Sequence, residues 1–451
     1  MVKQSAVSSN LSGQLIQLFG QNSDFVHQEY MLFGYKAELF YFQSLVDIQK
    51  TLVHLQQFYD SVGTAAEDFI QASLACGGNS EIPESELAGE LIDGKLVVLP
   101  QTGHNHRVVF EPVSPSIQRS ITSPQNDNVI QSSFDAFTEA LPINLSLLRT
   151  KLKNERLIVK TFTAGGVHPR QIGVCYIEGI VVEEVISDIS AKIERIKTKS
   201  ITNVQELLKM LKLPLLTPMP VLLSSELPTE TVKYLEEGRV VLFIDEHPFA
   251  LAVPAIIRDL WSIQADYNYP LPFTVAIRLI RIMGIFIASI MPALYVALVN
   301  VNPESLRIQL ALSISKSREA VPYPAIIEVV MMLLVLEMLI ESSIRLPKSI
   351  GPTVTTVGGI VLGQAVVQAE LVSNLLIIIL AVTAISNFSM TGYQNTILVR
   401  LVKYFMLLLG SMLGVLGIAI GIMLVIIYFS GLTICKVPYI SFSLKGRSHH
   451  E

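Results

Sequence analysis

From Ile282 to Val301 the chain runs without a charged side chain, and further uncharged runs follow from Ser349 to Ala369, Leu371 to Val399 and Tyr404 to Cys435. Wound as a helix, about 20 apolar residues span about 30 Å, the thickness of a bilayer's hydrocarbon core. A water-soluble domain has no use for such runs. The residues before Leu271 carry most of the charge and mix helix and strand patterns. The expected fold is therefore an α/β N-terminal head of two subdomains joined to an α-helical, multi-pass membrane domain. The opening residues, MVKQSAVSSNLSGQ, lack the apolar stretch of a cleavable signal peptide, so the head is expected to stay cytoplasmic.

Composition removes several function classes. A chain of 451 residues with a net charge of -5 offers no basic stripe for phosphate backbones, so no nucleic-acid partner is expected. Cys76, Cys175 and Cys435 stand far apart, which excludes a CxxC metal or redox motif and fits a reducing compartment. There is no Walker A loop, GxGxxG, GxSxG or HExxH, so neither catalysis nor a cofactor is expected. His104 and His106 form an HxH pair, but with no third Cys, His or Asp close by in sequence it reads as a surface pair rather than a metal site. His449 and His450 belong to a polar tail.

Residues 1–24 read as a polar N-terminal tail and 25–110 as the first α/β subdomain. In the latter, AELFYF from Ala37 reads as a strand, LVDIQKTLVHLQQFY as a helix and GKLVVL from Gly94 as a strand behind a turn glycine. Residues 111–131 form a Pro/Ser/Asn-rich connector. Residues 132–270 hold a signature helix, Phe137 to Leu152, and the second subdomain. Leu141, Leu145, Leu148 and Leu152 make one apolar stripe on that helix, with Glu139, Asn144 and Arg149 off it. IGVCYI from Ile172 is a strand ending at Glu178-Gly179, and GRVVLFID from Gly238 is a glycine-led strand set to pair with FALAVP from Phe249. The order echoes the first subdomain, as a distant repeat or because strand-helix-strand recurs in any α/β chain. Residues 271–435 are the membrane domain and 436–451 a polar basic tail.

RSITSPQNDNVIQSSFDAFTEALPINLSLLRTKL, from Arg119, resembles the connector and signature helix of the A subunits of GerA-type spore germinant receptors. YIEGIV at Tyr176, LEEGRVVLFIDEHPFALAVPA at Leu235, PALYVAL at Pro292, SREAVPYPAIIE at Ser317, IRLPKSIG at Ile344 and GGIVLGQAVVQAELVS at Gly358 continue the likeness in order. Phe137, Glu139, Asn144, Arg149, Glu178, Gly179, Gly238, Arg239, Pro292, Arg318, Glu319, Pro322 and Pro347 are its signature residues here. The resemblance implies a nutrient-sensing receptor subunit in the spore inner membrane. It further implies a homo-oligomer around a pathway for monovalent cations, opened when a B subunit senses the germinant, with a lipoprotein C subunit completing the complex. The sequence also departs from the family. Gln131 to Phe137 reads QSSFDAF where the family commonly has Arg-Gly-Pro-Arg-Glu-Gly-Phe, Leu227 replaces a frequent Arg, and Glu370 stands where Gly is usual.

Carboxylates inside apolar helices are costly unless they face partners or water, so Glu328, Glu337 and Glu341 are candidates for ion passage or gating, with Glu370. At about 100° per residue, Glu337 and Glu341 share a face and Glu328 points away. In a symmetric oligomer one Glu per subunit becomes an acidic ring. In the alternative, Glu328 and Glu341 pair with Arg318 and Arg345 near headgroups and Glu337 alone is deep. Gly359 with Gly363, and Gly410, Gly414, Gly417 and Gly421, read as helix-packing positions rather than hinges, and Pro292 as a kink candidate. Five spans result, near 282–301, 323–343, 351–369, 371–391 and 404–430, with Arg278 and Arg281, Arg345 and Lys348, and Arg400 and Lys403 marking inside loops. Five crossings place the tail outside, although Lys436, Lys445 and Arg447 suit the inside; LRIQLALSISKS from Leu306, or the junction at Glu370, is then a candidate re-entrant segment. The alternative function is a transporter component with a midplane solute site from Gln364, Gln368, Glu370 and Asn387.

Overall fold

The structure, a computed structural model, describes residues 5–62, 68–101, 106–114, 135–165, 169–194, 204–211, 217–346, 350–390 and 392–444. His104, residues 131–134 of the diverged segment, Pro347, Lys348, Lys445, Arg447, His449 and His450 lie outside them.

The first subdomain runs α1 (Ser5–Phe19), β1 (Phe25–Leu32), β2 (Tyr35–Phe42), α2 (Ile48–Val62), α3 (Phe69–Ala75), α4 (Leu87–Ile92), β3 (Leu96–Pro100) and β4 (Val108–Phe110). The strands form an antiparallel sheet in the order β1-β2-β3-β4. Leu39, Tyr41, Leu96 and Val98 pack under α2 and α3, while Phe40, Phe42 and Val97 pack under α1 and α4. With both faces covered, β2 reads as a continuous apolar run rather than an alternating one. The β1–β2 turn places Phe33 at φ 53° and Gly34 at φ 84°, the pair of left-handed residues that suits a two-residue hairpin. The stretch expected to be a polar tail contains α1, anchored by Leu11, Leu15 and Phe19 at four-residue spacing. Its serines hide that stripe in the composition.

The second subdomain repeats the plan with α5 (Leu141–Lys151), β5 (Leu157–Ala164), β6 (Arg170–Ile177), α6 (Glu183–Glu194), α7 (Val204–Met210), β7 (Leu223–Ser225), α8 (Pro228–Glu236), β8 (Val240–Ile244) and β9 (Ala250–Val253). Its sheet order is β5-β6-β8-β9-β7, antiparallel throughout. In both subdomains a helix precedes a hairpin, helices cross over, and a glycine at φ 88°, Gly94 or Gly238, opens a second hairpin. In both, the first and last helices share one sheet face and the middle two the other. The repeat read in the sequence is thus a repeat of topology, to which β7 is an addition. The stripe Leu141, Leu145, Leu148 and Leu152 is buried as expected, but Asn144 and Arg149 are buried too.

The helical half comprises α9 (Leu271–Val296), α10 (Ile308–Ser317), α11 (Ala325–Arg345), α12 (Gly351–Gln368), α13 (Asn374–Phe388) and α14 (Tyr393–Gly431). Among the described residues two helices are long and apolar enough to cross a membrane, Leu271–Val301 and Gln394–Gly431, against the five stretches expected. α11 has the length but carries Glu328, Glu337, Glu341 and Arg345, while α12 and α13 are shorter.

α14 is not straight. Gly414 takes φ 62°, ψ -140°, and beyond it the chain doubles back, so that Gly421 faces Met406 and Gly417 faces Leu409. In a straight helix Gly421 and Met406 would stand about 22 Å apart. Asn302, at the far end of α9, accepts from the amide of Val415 at this turn (3.1 Å). The returning limb ends in a small hairpin, β10 (Thr433–Ile434) and β11 (Val437–Pro438), whose Ile434, Val437 and Tyr439 enter the core of the second subdomain. Residues 433–444 therefore lie against the head, where a single straight last helix would carry them to the far end.

Candidate functional site

Apolar helices that hold charge must hold it against something, and in this chain the partners come from α14, from Arg318 after α10, and from the α12–α13 turn. Glu337 of α11 accepts from Lys403 Nζ at 3.0 Å and from the Tyr404 hydroxyl at 3.5 Å, and forms an ion pair with Arg400 Nη1 at 3.1 Å. Lys403 is buried and Arg400 half-buried. One carboxylate thus answers two cations, and Arg400 Nε has no hydrogen-bond partner among the described residues. The expectation that Arg400 and Lys403 mark a loop is corrected: both lie within α14, where positive charge is held by Glu337 rather than by water.

Glu328 is fully buried and opposite, as the helical period requires. One oxygen accepts the backbone amide of Ser373 at 2.6 Å, and the other lies 3.4 Å from Arg318 Nε without hydrogen-bond geometry. The Tyr295 hydroxyl contacts Ser373 Oγ at 3.1 Å and ties α9 to the same knot. Glu341 is exposed and paired with Arg345 one turn on. Glu370 is exposed at the α12–α13 turn with φ 57°, a left-handed conformation that Gly adopts freely. The four acids do not converge in one chain. Nor do the proposed solute residues: Gln364, Gln368 and Glu370 are exposed toward one end of α12, whereas Asn387 is buried at the opposite end of α13.

A Cβ at Gly410 would meet Ala293 of α9 and Ile418, so Gly410, Gly417 and Gly421 serve the close packing of α14 against itself and α9. Gly414 is the turn itself. No atom stands within 4 Å of a Cβ added at Gly359 or Gly363, so that pair packs against nothing within the described residues. Pro292 is buried inside α9.

The signature residues of the head are mostly joints. Asn144 Oδ1 accepts the Thr138 amide at 2.7 Å and its Nδ2 donates to the Thr138 carbonyl, fixing the entry to α5. Phe137 stacks edge-on with Phe243 at 4.9 Å, and the Glu139 carbonyl accepts from the Glu246 amide. Arg149 reaches out of the second subdomain to Asp24 (2.7 Å twice) and Asn22 (3.0 Å) in the first, and lies 4.0 Å over Phe42. Arg239, fully buried, makes two 2.8 Å bonds to Asp259 and one of 3.1 Å to Glu237. The Glu178 amide donates to Arg156, and Gly179 turns at φ 79°. Glu319 and Pro322 are exposed. Sequence reading missed the partners Asp24, Asn22, Asp259 and Ser373, since short acids and serines in loops carry no periodic signal.

Where the head meets α9, Asp266 accepts from Arg281 at 2.9 and 3.2 Å, and Arg281 also donates to the Trp261 carbonyl. Burial alone would raise the Asp266 carboxyl, but Arg281, the Ile263 amide and Arg278 outweigh it and hold the group below its ordinary value.

These elements define a two-part protein, a duplicated α/β head on an apolar helical unit with internal ion pairs. The model of one family, described as Bacillus/Clostridium GerA spore germination protein, matches residues 13–449. The chain belongs to that family. It is 31% identical over 387 residues to spore germination protein KA of Bacillus subtilis, covering 85% of this chain and 71% of the relative. It is 32% identical over 332 residues to B. subtilis spore germination protein A1, covering 73% and 69%, and 28% identical over 412 residues to GerQA of Bacillus cereus, covering 90% and 81%. The crystal structure of the N-terminal domain of the A subunit of the Bacillus megaterium spore germinant receptor GerK3 matches with a TM-score of 0.39 at 23% identity, over 55% of this chain and 94% of that one.

Proposed function

We propose that this chain is the A subunit of a nutrient-sensing spore germinant receptor. It sits in the spore inner membrane with its head in the cytoplasm and works with a membrane B subunit and a lipoprotein C subunit. In this reading α9, α11, α12, α13 and the two limbs of α14 all cross the membrane, an even number that returns the tail to the head. Exposed Leu279, Ile280, Met283 and Phe286 of α9, and Met412, Leu416, Met423 and Ile427 of α14, suit contact with lipid.

Copies of the chain form or gate a pathway for monovalent cations. The observation that carries this part is the Glu337–Arg400–Lys403 knot. Charge is held there by a pairing that leaves positive excess, a poor resting place for a cation and a good barrier to one. Opening requires Glu337 to exchange its partners, freeing a carboxylate for a passing ion. The test uses spores stripped of their other germinant receptors and supplied with this chain and its B and C partners. A mixture of amino acids, sugars and nucleosides should trigger potassium release within minutes; spores that release no more than the stripped strain would contradict the proposal.

A further inference from the structure

The head is joined to the helices twice, and the two joints meet. The Ile257 amide donates to the Tyr439 carbonyl at 2.9 Å, and Trp261 packs near Phe442 with ring centres 6.3 Å apart. Beside this meeting point lies a cavity of about 440 Å³ lined by Lys233, Glu236, Glu237, Arg258, Tyr267 and the tail residues Ser443 and Leu444. Lys233 has no ion-pair partner among the described residues, and its amine lies 5.9 Å from the centre of the Tyr267 ring. Arg278, outside the lining, lies 4.9 Å from the same ring; its Nε pairs with Asp266 at 3.5 Å, and its Nη2 is buried with no hydrogen-bond partner among the described residues.

The two acids of the lining equal its two cations in number, but neither is paired with Lys233. Glu237 is already committed to Arg258 at 2.6 Å and Arg239 at 3.1 Å, and Glu236 is exposed at the rim. Tyr267 is exposed, and the apolar surface of α9 begins just beyond it with Leu271 and Phe273. Basic side chains around an aromatic, opening where apolar surface starts, are arranged for the phosphate of a membrane lipid.

We infer that this cavity takes the phosphate of an anionic phospholipid headgroup from the adjoining leaflet, bracing the joint between the head, α9 and the C-terminal hairpin. The inference rests on the membrane reading above.

The test is native mass spectrometry of the full chain in detergent with phosphatidylglycerol, phosphatidylcholine or inorganic phosphate. Phosphatidylglycerol should be retained in preference to phosphatidylcholine. Lys233→Gln should weaken that retention about fivefold, the change for one cation at an anionic surface, while Glu236→Gln should strengthen it. Opposite signs from neighbouring residues are not the mark of general unfolding. Equal retention in both variants overturns the inference, as does inorganic phosphate displacing the lipid at millimolar concentration, which would assign the cavity to free phosphate. Flotation with phosphatidylglycerol vesicles separates the two readings: variants that float yet bind alike defeat only the cavity, and a chain that stays soluble without detergent defeats the membrane reading.

Discussion

The ion pairs of the head and those of the helical half differ in how completely they are made. Arg239 and Arg149 each grip a carboxylate with two bonds of 2.7 to 2.8 Å and take a further polar partner, although Arg239 Nε is buried with no hydrogen-bond partner among the described residues. Arg318 approaches Glu328 at 3.4 Å without a hydrogen bond, and Glu337 is shared between two cations. A buried pair held by two bonds resists change, because removing either partner strands a charge. A carboxylate shared between two cations, as Glu337 is, can give up one and keep the other. The head pairs therefore fix geometry, and under the proposed function the helical pairs are the ones that would switch.

Breaking the head pair should have the largest effect. Arg239→Met leaves Asp259 buried and unpaired and is expected to cost about 3–5 kcal/mol. The readout is loss of the protease-resistant head and of protein from the membrane fraction; a variant as stable as the parent would erase the contrast. Glu328→Gln should cost less, about 1–2 kcal/mol, because polar pairs between membrane helices average below that of buried pairs in water-soluble cores. Detergent melting of the two variants side by side measures the ratio.

The junction should respond to acid. The Asp266 carboxyl is held below its ordinary value, so its contribution is complete above the unfolded value, near ~3.9, and is lost as pH falls through the lower folded value. Trp261 is the single tryptophan, and its carbonyl accepts from Arg281. Its fluorescence should hold from neutral pH to about 5 and change below about 4, and Asp266→Asn should abolish that step. Smallest is Glu370→Gly, expected to stabilise by about 1 kcal/mol by relieving a left-handed backbone at φ 57°. A measured loss in melting temperature would mean the Glu side chain makes up the strain elsewhere.

Legibility followed periodicity. The strands at Ala37, Gly94, Ile172 and Gly238 and the stripe of α5 were readable because burial writes apolar residues at fixed intervals. β1, FVHQEYML, was not, because an edge strand with one partner keeps polar side chains. α1 was hidden by its serines. The reversal at Gly414 was obscured because both limbs are apolar and Gly recurs along them; only the mismatch between an odd span count and a basic tail pointed to it. At the candidate site, the apolar run around Glu337 was legible, whereas its bond to Lys403 depends on how the first limb of α14 packs beside α11, a tertiary fact.

Glu337 is the residue on which the proposed cation pathway depends most. Nutrient-triggered potassium release should be measured in spores carrying Glu337→Gln, with receptor abundance checked by immunoblot and Lys403→Met as companion. Release that is slowed or altered in ion preference at normal abundance, with Lys403→Met shifting it as well, is the predicted result. Normal release from abundant Glu337→Gln protein would contradict it, and would move the pathway to Glu328 or Glu370.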